Sequence, residues 1–390
     1  MSGGASPGQF GLWGKETKRD WPLITQDEAS RALAAFGLRD VTPIEWHSAR
    51  PFSAVSRLSD DQGRSWFLKR HHHALRDKAA LAEEHRLIAH LAERGMTVAR
   101  PLATESGDSV FTLGDWSYEC LPGLEGRDLY RDRLSWEPYL SRHQAFESGR
   151  ALAVFHDAAQ SYDGQARPER PLVSSLTPLL DERGPEIGLC SWIASNAAMR
   201  GAIDTQGGAE AILTALRPHF RRAAPFLASP TTQWGHGDWH GSNLTWHGAP
   251  EHEKIGAVFD FSMADRMTRG FDIAIALERS MIDWMNPLHD PEGSLCDFAS
   301  EPGQITAFLA GYDNVHPLSR REREEIAAFL PLAHVTFACS EIWYYQCLLD
   351  LPDLAKTTYD TYLLGHANWF SGKQGYEMLE LIAAGAQSVG

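Results

Sequence analysis

Thirteen residues, Trp234 to Trp246 (W-G-H-G-D-W-H-G-S-N-L-T-W), concentrate side chains that can do chemistry. Asp238 offers a carboxylate and Asn243, five residues on, an amide, in a loop loosened by Gly237 and Gly241. Downstream, the apolar run Ile255–Phe259 reads as a buried strand ending in Asp260, seventeen residues after Asn243. A carboxylate at a strand end, facing a second carboxylate and an amide carbonyl across a tight loop, is a hard-oxygen site. Such a donor set suits Mg2+ held together with substrate phosphates.

The elements that must position these groups follow from the rest of the chain. At 390 residues, two domains or lobes are expected at roughly 100–200 residues each. Thr25-Gln-Asp-Glu28 is a capping box that opens a helix closed by Gly37. Two alternating runs, 54–58 and 65–69, flank the turn Asp60-Asp-Gln-Gly63 and predict a hairpin. A helix over 77–94 ends at Gly95, and strands follow near 110–113 and 116–120. Leu121-Pro122-Gly123 reads as the joint. Beyond it helical spacing dominates: 145–159, 208–226 interrupted by Pro218, 303–312, and 320–349 kinked at Pro331. The polar, Pro-containing segment 164–188 reads as a surface insertion. The expected class is therefore α+β, with a flexible tail over 1–22, a small β-rich lobe over 23–120 and a larger, mainly helical lobe over 121–390.

Charge and composition exclude other classes. The formal net charge of −15 argues against nucleic acid, which calls for a basic face. Residues 1–120 are almost neutral, at −1, and residues 121–390 hold −14. No uninterrupted apolar run of about 18 residues is present, so no membrane partner is expected. Five scattered cysteines without a C-x-x-C pair suit free thiols in a reducing cytosol. The N-terminus lacks the apolar core of a signal peptide, and a cytoplasmic setting is expected. The run His71-His72-His73 cannot direct all three rings at one ion and reads as solvated. No sequence feature sets the oligomeric state.

The stretch around Asp238 resembles the kinase-like phosphotransferases: aminoglycoside phosphotransferases, choline kinases and type II homoserine kinases. Their H-G-D-x-H-x-x-N loop and following D-F pair match His236, Gly237, Asp238, His240, Asn243, Asp260 and Phe261. The resemblance covers roughly residues 23–385 and implies a protein-kinase-like bilobal fold, with ATP and Mg2+ as cofactors. It implies that Asp238 orients the acceptor hydroxyl and takes its proton, and that Asn243 and Asp260 hold Mg2+. Asp272 matches the family's later structural Asp, and His236 is expected to brace the loop. Lys69, closing an apolar strand, and Glu84, fifteen residues on, match the Lys–Glu pair that fixes the ammonium against the ATP phosphates. Glu83 is the alternative partner. Trp116–Leu121 fits the hinge, where backbone groups of Glu119 and Leu121 would read the adenine. The phosphate-covering loop, 48–55, departs from the pattern in lacking glycine, with Ser53 at the matching position. Ser262 stands where protein kinases carry Gly.

The function expected is transfer of the ATP γ-phosphate to a hydroxyl of a small molecule: an amino alcohol, amino acid, sugar or aminoglycoside. Glu341, Trp343 and Tyr344 could line the acceptor pocket, with aromatic faces for an ammonium. At helical spacing these residues equally suit a packed core. Two rival readings are a nucleotide-binding scaffold without turnover, which the glycine-free loop would fit, and a metallohydrolase built on His236, Asp238, His240 and Asp260. The second gives Lys69 and Glu84 no role. Acidic groups around the acceptor pocket would favour a cationic acceptor.

Overall fold

The computed structural model describes residues 20–385 except 49, 132, 134, 169 and 285–297. Almost all of the expected tail, and Cys296, lie outside the described residues. The described part forms two compact units. The first comprises the N-terminal residues through Ser135 together with Leu244–His247 and Gly256–Phe259; the second comprises Trp136–Asn243, Gly248–Ile255 and the rest of the chain from Asp260.

In the first unit, α1 (Gln26–Ala35) starts at the expected capping box on Thr25 and Glu28. Five antiparallel strands follow: β1 (Trp46–His47), β2 (Ala54–Ser59), β3 (Ser65–His72), β4 (Phe111–Leu113) and β5 (Trp116–Pro122), in the order β1-β2-β3-β5-β4. Between β3 and β4 runs α2 (Lys78–Glu93), capped by Asp77. Side chains alternate across β3. Leu68 joins the apolar cluster under α1, and Arg70 pairs with Glu28 of that helix at 2.6 Å. Lys69 and His71 take the opposite face, and His71 is buried against Glu119. The His71–His73 run is therefore not solvated throughout: β3 extends through His72 and carries His71 inward, while His73 is exposed.

The second unit is mainly helical, with α3 (Arg142–Ala159), α4 (Pro185–Ser195), α5 (Ala197–Gln206) and α6 (Ala209–Leu227) ahead of the short strand β6 (Gln233–Gly235). α6 runs through Pro218 without the expected interruption. Thr214 and Pro218 both face solvent, so water can satisfy the carbonyl that the missing N–H abandons. Pro331 does break its helix: a 3-10 turn, Leu330–Leu332, separates Arg320–Phe329 from Val335–Trp343. The segment 164–188 is not a surface insertion. Leu172 to Leu176 and Leu179 are buried, and Val173 and Ser175 bond the helix residues Ser340 and Thr336. Among the described residues, one helical run, Arg320–Leu348 including the turn Leu330–Leu332, has the length and hydropathy to cross a membrane, and 94% of its apolar window is buried inside the protein, as in a core helix. The described cysteines, Cys120, Cys190, Cys339 and Cys347, are free.

Past β6, the strands β7 (Leu244–His247) and β8 (Lys254–Val258) pair as a hairpin, and β9 (Asp265–Met267) returns antiparallel to β6. Next comes α7 (Arg269–Met281), buried continuously from Gly270. It carries three charges in this setting, Asp272, Glu278 and Arg279, each of which needs compensation there.

Candidate active site

The residues of the loop 236–243 come together in the second unit. Asp272 in the first turn of α7 accepts hydrogen bonds from the backbone N–H groups of His236 (2.8 Å) and Gly237 (2.9 Å) and from His156 Nε2 (3.0 Å). Tyr312 Oη sits 2.7 Å from the other nitrogen of His156. Burial alone would raise the Asp272 pKa, but His156 and the Gly237 N–H hold it low. His236 is fully buried among Phe155, Trp239 and Phe261, and its Nδ1 accepts from the Asp238 N–H at 3.2 Å. Asp272 ties this loop to α7.

Gly237 is where glycine is indispensable. Its φ is 73°, and a Cβ there would stand 2.1 Å from the Met263 carbonyl oxygen. This close approach brings the turn after Asp260 under the loop. Arg167 fixes that turn, donating to the carbonyls of Phe261 (3.0 Å) and Ser262 (3.3 Å), while Asp265 accepts from the Arg167 N–H. Asp260 itself adopts φ 60°, ψ 70°, a left-handed conformation uncommon outside glycine.

Asn243, in a 3-10 turn, donates from Nδ2 to the Asp238 carbonyl (2.9 Å) and carboxylate (3.2 Å). His240 Nε2 lies 3.3 Å from the same carboxylate. The other Asp238 oxygen accepts from Arg279, a residue the sequence reading did not single out. Arg279 is wholly buried, lies over the rings of Trp136 (4.6 Å) and Phe337 (4.9 Å), and donates to Ser174 Oγ at 3.0 Å. Burial would raise the Asp238 pKa; the Arg279 charge, followed by His240, overcomes it and holds the carboxyl well below the usual range. Asp238 is thus held ionised and oriented by these partners. The available signal in the sequence was three charged residues in an otherwise apolar helix, Phe271–Met281.

The residues expected on the nucleotide side lie in the first unit. Lys69 on β3 is opposite Glu119 on β5, so both side chains point to the same face of the sheet. Lys69, Glu84 and Glu119 are all buried, and Glu83 is only partly so. Glu119 accepts from His71 and His85, each at 2.9 Å. Burial would raise its pKa, but these two bonds and the Lys69 charge hold it well below the carboxylate range. Leu121 is half-buried at the end of β5. In the loop 48–55, Ser53 is half-buried, Phe52 takes φ 71°, and Arg50 pins the chain by donating to the Tyr130 carbonyl.

The three residues offered for an acceptor pocket differ in exposure. Tyr344 is fully buried, Glu341 is buried and accepts from Thr358 Oγ1 at 3.2 Å, and Trp343 is half-buried.

A profile of the phosphotransferase enzyme family matches residues 49–324, more than half of the chain. The homoserine kinase of Sinorhizobium medicae is 25% identical over 310 residues, covering 78% of this chain and 79% of its own. That of Cupriavidus pinatubonensis is 26% identical over 263 residues, 66% and 67% of the two chains. Among solved structures, a spectinomycin phosphotransferase in complex with ADP and spectinomycin superposes with a TM-score of 0.53 at 12% identity, covering 93% of this chain and 99% of that one. An amicoumacin kinase in complex with AMP-PNP and Ca2+ gives 0.51 at 17% identity, covering 80% and 86%. At these identities the structural likeness speaks for the protein-kinase-like fold. The chain belongs to the phosphotransferase enzyme family, and its class is that of a small-molecule kinase.

Proposed function

We propose that this enzyme transfers the γ-phosphate of ATP, with Mg2+, to a hydroxyl of a small molecule. The observation that carries the reading is the Asp238 carboxylate, bonded by Asn243 on one oxygen and by Arg279 on the other. In this reading the acceptor oxygen forms the new O–P bond, and the bond from γ-phosphorus to the bridging oxygen of ADP breaks. The hydroxyl proton passes late to Asp238. A carboxylate held so far below the ordinary Asp value of about 3.9 is a weak base. Its main contribution is to orient the hydroxyl, in keeping with the loose transition state of phosphoryl transfer.

The donor set fits Mg2+. Asn243 turns its amide nitrogen toward Asp238, which leaves the carbonyl oxygen for an ion, and Asp260 supplies a carboxylate oxygen. Such an ion supplies charge neutralisation at the phosphates. On the nucleotide side, residues 23–120 contribute Lys69 with Glu84 as its partner, Ser53 at the phosphates, and the backbone of Glu119 and Leu121 at the adenine. The burial of Glu84 supports it over the half-buried Glu83. Residues 121–390 contribute the catalytic loop and the acceptor pocket, with Glu341, Trp343 and Tyr344 as its candidates, in a cytoplasmic enzyme.

Two curated relatives are named homoserine kinases, so a hydroxylated amino acid heads the acceptor series, ahead of amino alcohols, aminoglycosides and sugars. The test is ADP release with Mg2+-ATP across that series. Acceptor-stimulated release with one class supports the reading. Nucleotide binding without release from any acceptor supports the scaffold alternative, for which the pinned, glycine-free loop at 48–55 is the specific observation.

A further inference from the structure

Three side chains far apart in sequence converge inside the second unit: Glu278 on α7, His334 just before the helix Val335–Trp343, and His366 at the start of the helix His366–Ser371. Their ligand-type atoms all lie within 4.8 Å of one another, and the three residues are at most 1% exposed. Neither Glu278 oxygen, nor Nδ1 of either histidine, has a hydrogen-bond partner among the described residues.

The proton inventory makes this arrangement unusual. His334 Nε2 lies 3.1 Å from the Leu363 carbonyl, which only accepts, so Nε2 carries the proton and Nδ1 presents a lone pair. His366 Nδ1 stands 3.1 Å from a Glu278 oxygen without hydrogen-bond alignment. Two imidazole nitrogens and a carboxylate thus share one buried space, an arrangement that a cation held by all three satisfies. Trp284 stacks on His366 and donates from Nε1 to the Glu278 carbonyl at 2.6 Å. These contacts, with the Leu363 bond on His334, orient the rings as outer partners of metal ligands commonly do.

We infer that Glu278, His334 and His366 form a binding site for a divalent transition-metal ion of the Zn2+ type, separate from the oxygen donors Asn243 and Asp260. Bonds of about 2.0–2.1 Å in a tetrahedral site place neighbouring ligand atoms about 3.3 Å apart, close to the His366–Glu278 spacing. Two imidazoles and one carboxylate suit Zn2+ or Co2+ and not Mg2+ or Ca2+, which take oxygen. The ion ties three segments of the helical unit together. It also engages the carboxylate adjacent to Arg279, leaving that guanidinium to Asp238. The site stands on its own geometry, whatever Asp238 does.

The test uses the purified full-length chain and readouts other than turnover. Elemental analysis is expected to find about one Zn2+ per chain after dialysis against metal-free buffer. Exchange for Co2+ is expected to give visible d–d absorption and shifted imidazole N–H proton resonances, which an all-oxygen Mg2+ site does not produce. Glu278→Gln and His366→Gln, checked for folding by near-UV circular dichroism, are expected to bind Zn2+ at least tenfold more weakly. The inference is overturned if the wild-type chain takes up no Zn2+ or Co2+, or if the Co2+ form lacks imidazole signals. A folded Glu278→Gln chain that keeps wild-type Zn2+ affinity overturns it equally. The wild-type Co2+ spectrum decides the matter even if both variants fail to fold.

Discussion

Arg279 and Asp238 form an ion pair inside the helical unit, and α7, which supplies Arg279, also supplies Asp272 to the same loop seven residues earlier. One buried helix therefore fixes the backbone at His236 and Gly237 and the carboxylate of Asp238. The consequences can be measured separately.

Replacing Arg279 by Met leaves a buried carboxylate without its cation. Loss of about 3–5 kcal/mol of unfolding free energy is expected in urea titrations. Pairing it with Asp238→Asn, which removes the orphaned charge, should recover most of that loss.

The same pair sets a pH dependence. The folded Asp238 pKa is depressed, so its stabilising contribution is present above the unfolded value of about 3.9 and is lost only as pH falls through the lower folded value. Asp238 should therefore give no acid limb in the kcat/KM profile between about pH 5 and 7. In Arg279→Met the carboxyl pKa rises, and an acid limb should move toward neutral pH. An identical profile in both proteins would contradict this.

Asp272→Asn exchanges one acceptor oxygen for an N–H donor and orphans a buried backbone N–H. A stability loss of about 1–3 kcal/mol is expected, with kcat falling more than the nucleotide KM changes. Equal effects on both parameters would mean that Asp272 shapes more than the loop.

Gly237→Ala meets both an unfavourable φ, costing about 1–2 kcal/mol, and the Met263 carbonyl. Its thermal midpoint should fall. Gly201→Ala, in α5 with open space at the Cβ position, should raise the midpoint slightly through helix propensity.

Much of the fold was legible because local chemistry specified it. The capping box at Thr25, the 54–69 hairpin and the helix capped by Asp77 carry their own turn and cap residues. His236 to Asn243 was legible for a similar reason, since all its chemistry lies within eight residues. Arg279 and the Glu278–His334–His366 cluster were not: their partners are 32 or more residues away in sequence and meet only when the helices pack. The segment 164–188 misled because its polar composition resembles a surface loop, whereas its residues 170–179 thread into the core with Val173 and Ser175 bonded to helix hydroxyls.

The most direct test of the central claim compares wild type and Asp238→Ala for ADP release with Mg2+-ATP and the best acceptor, alongside ATP binding by calorimetry. Acceptor-dependent release in the wild type should fall by about 10²–10⁴ in the variant while ATP affinity is kept. Near-wild-type release from Asp238→Ala would contradict the account.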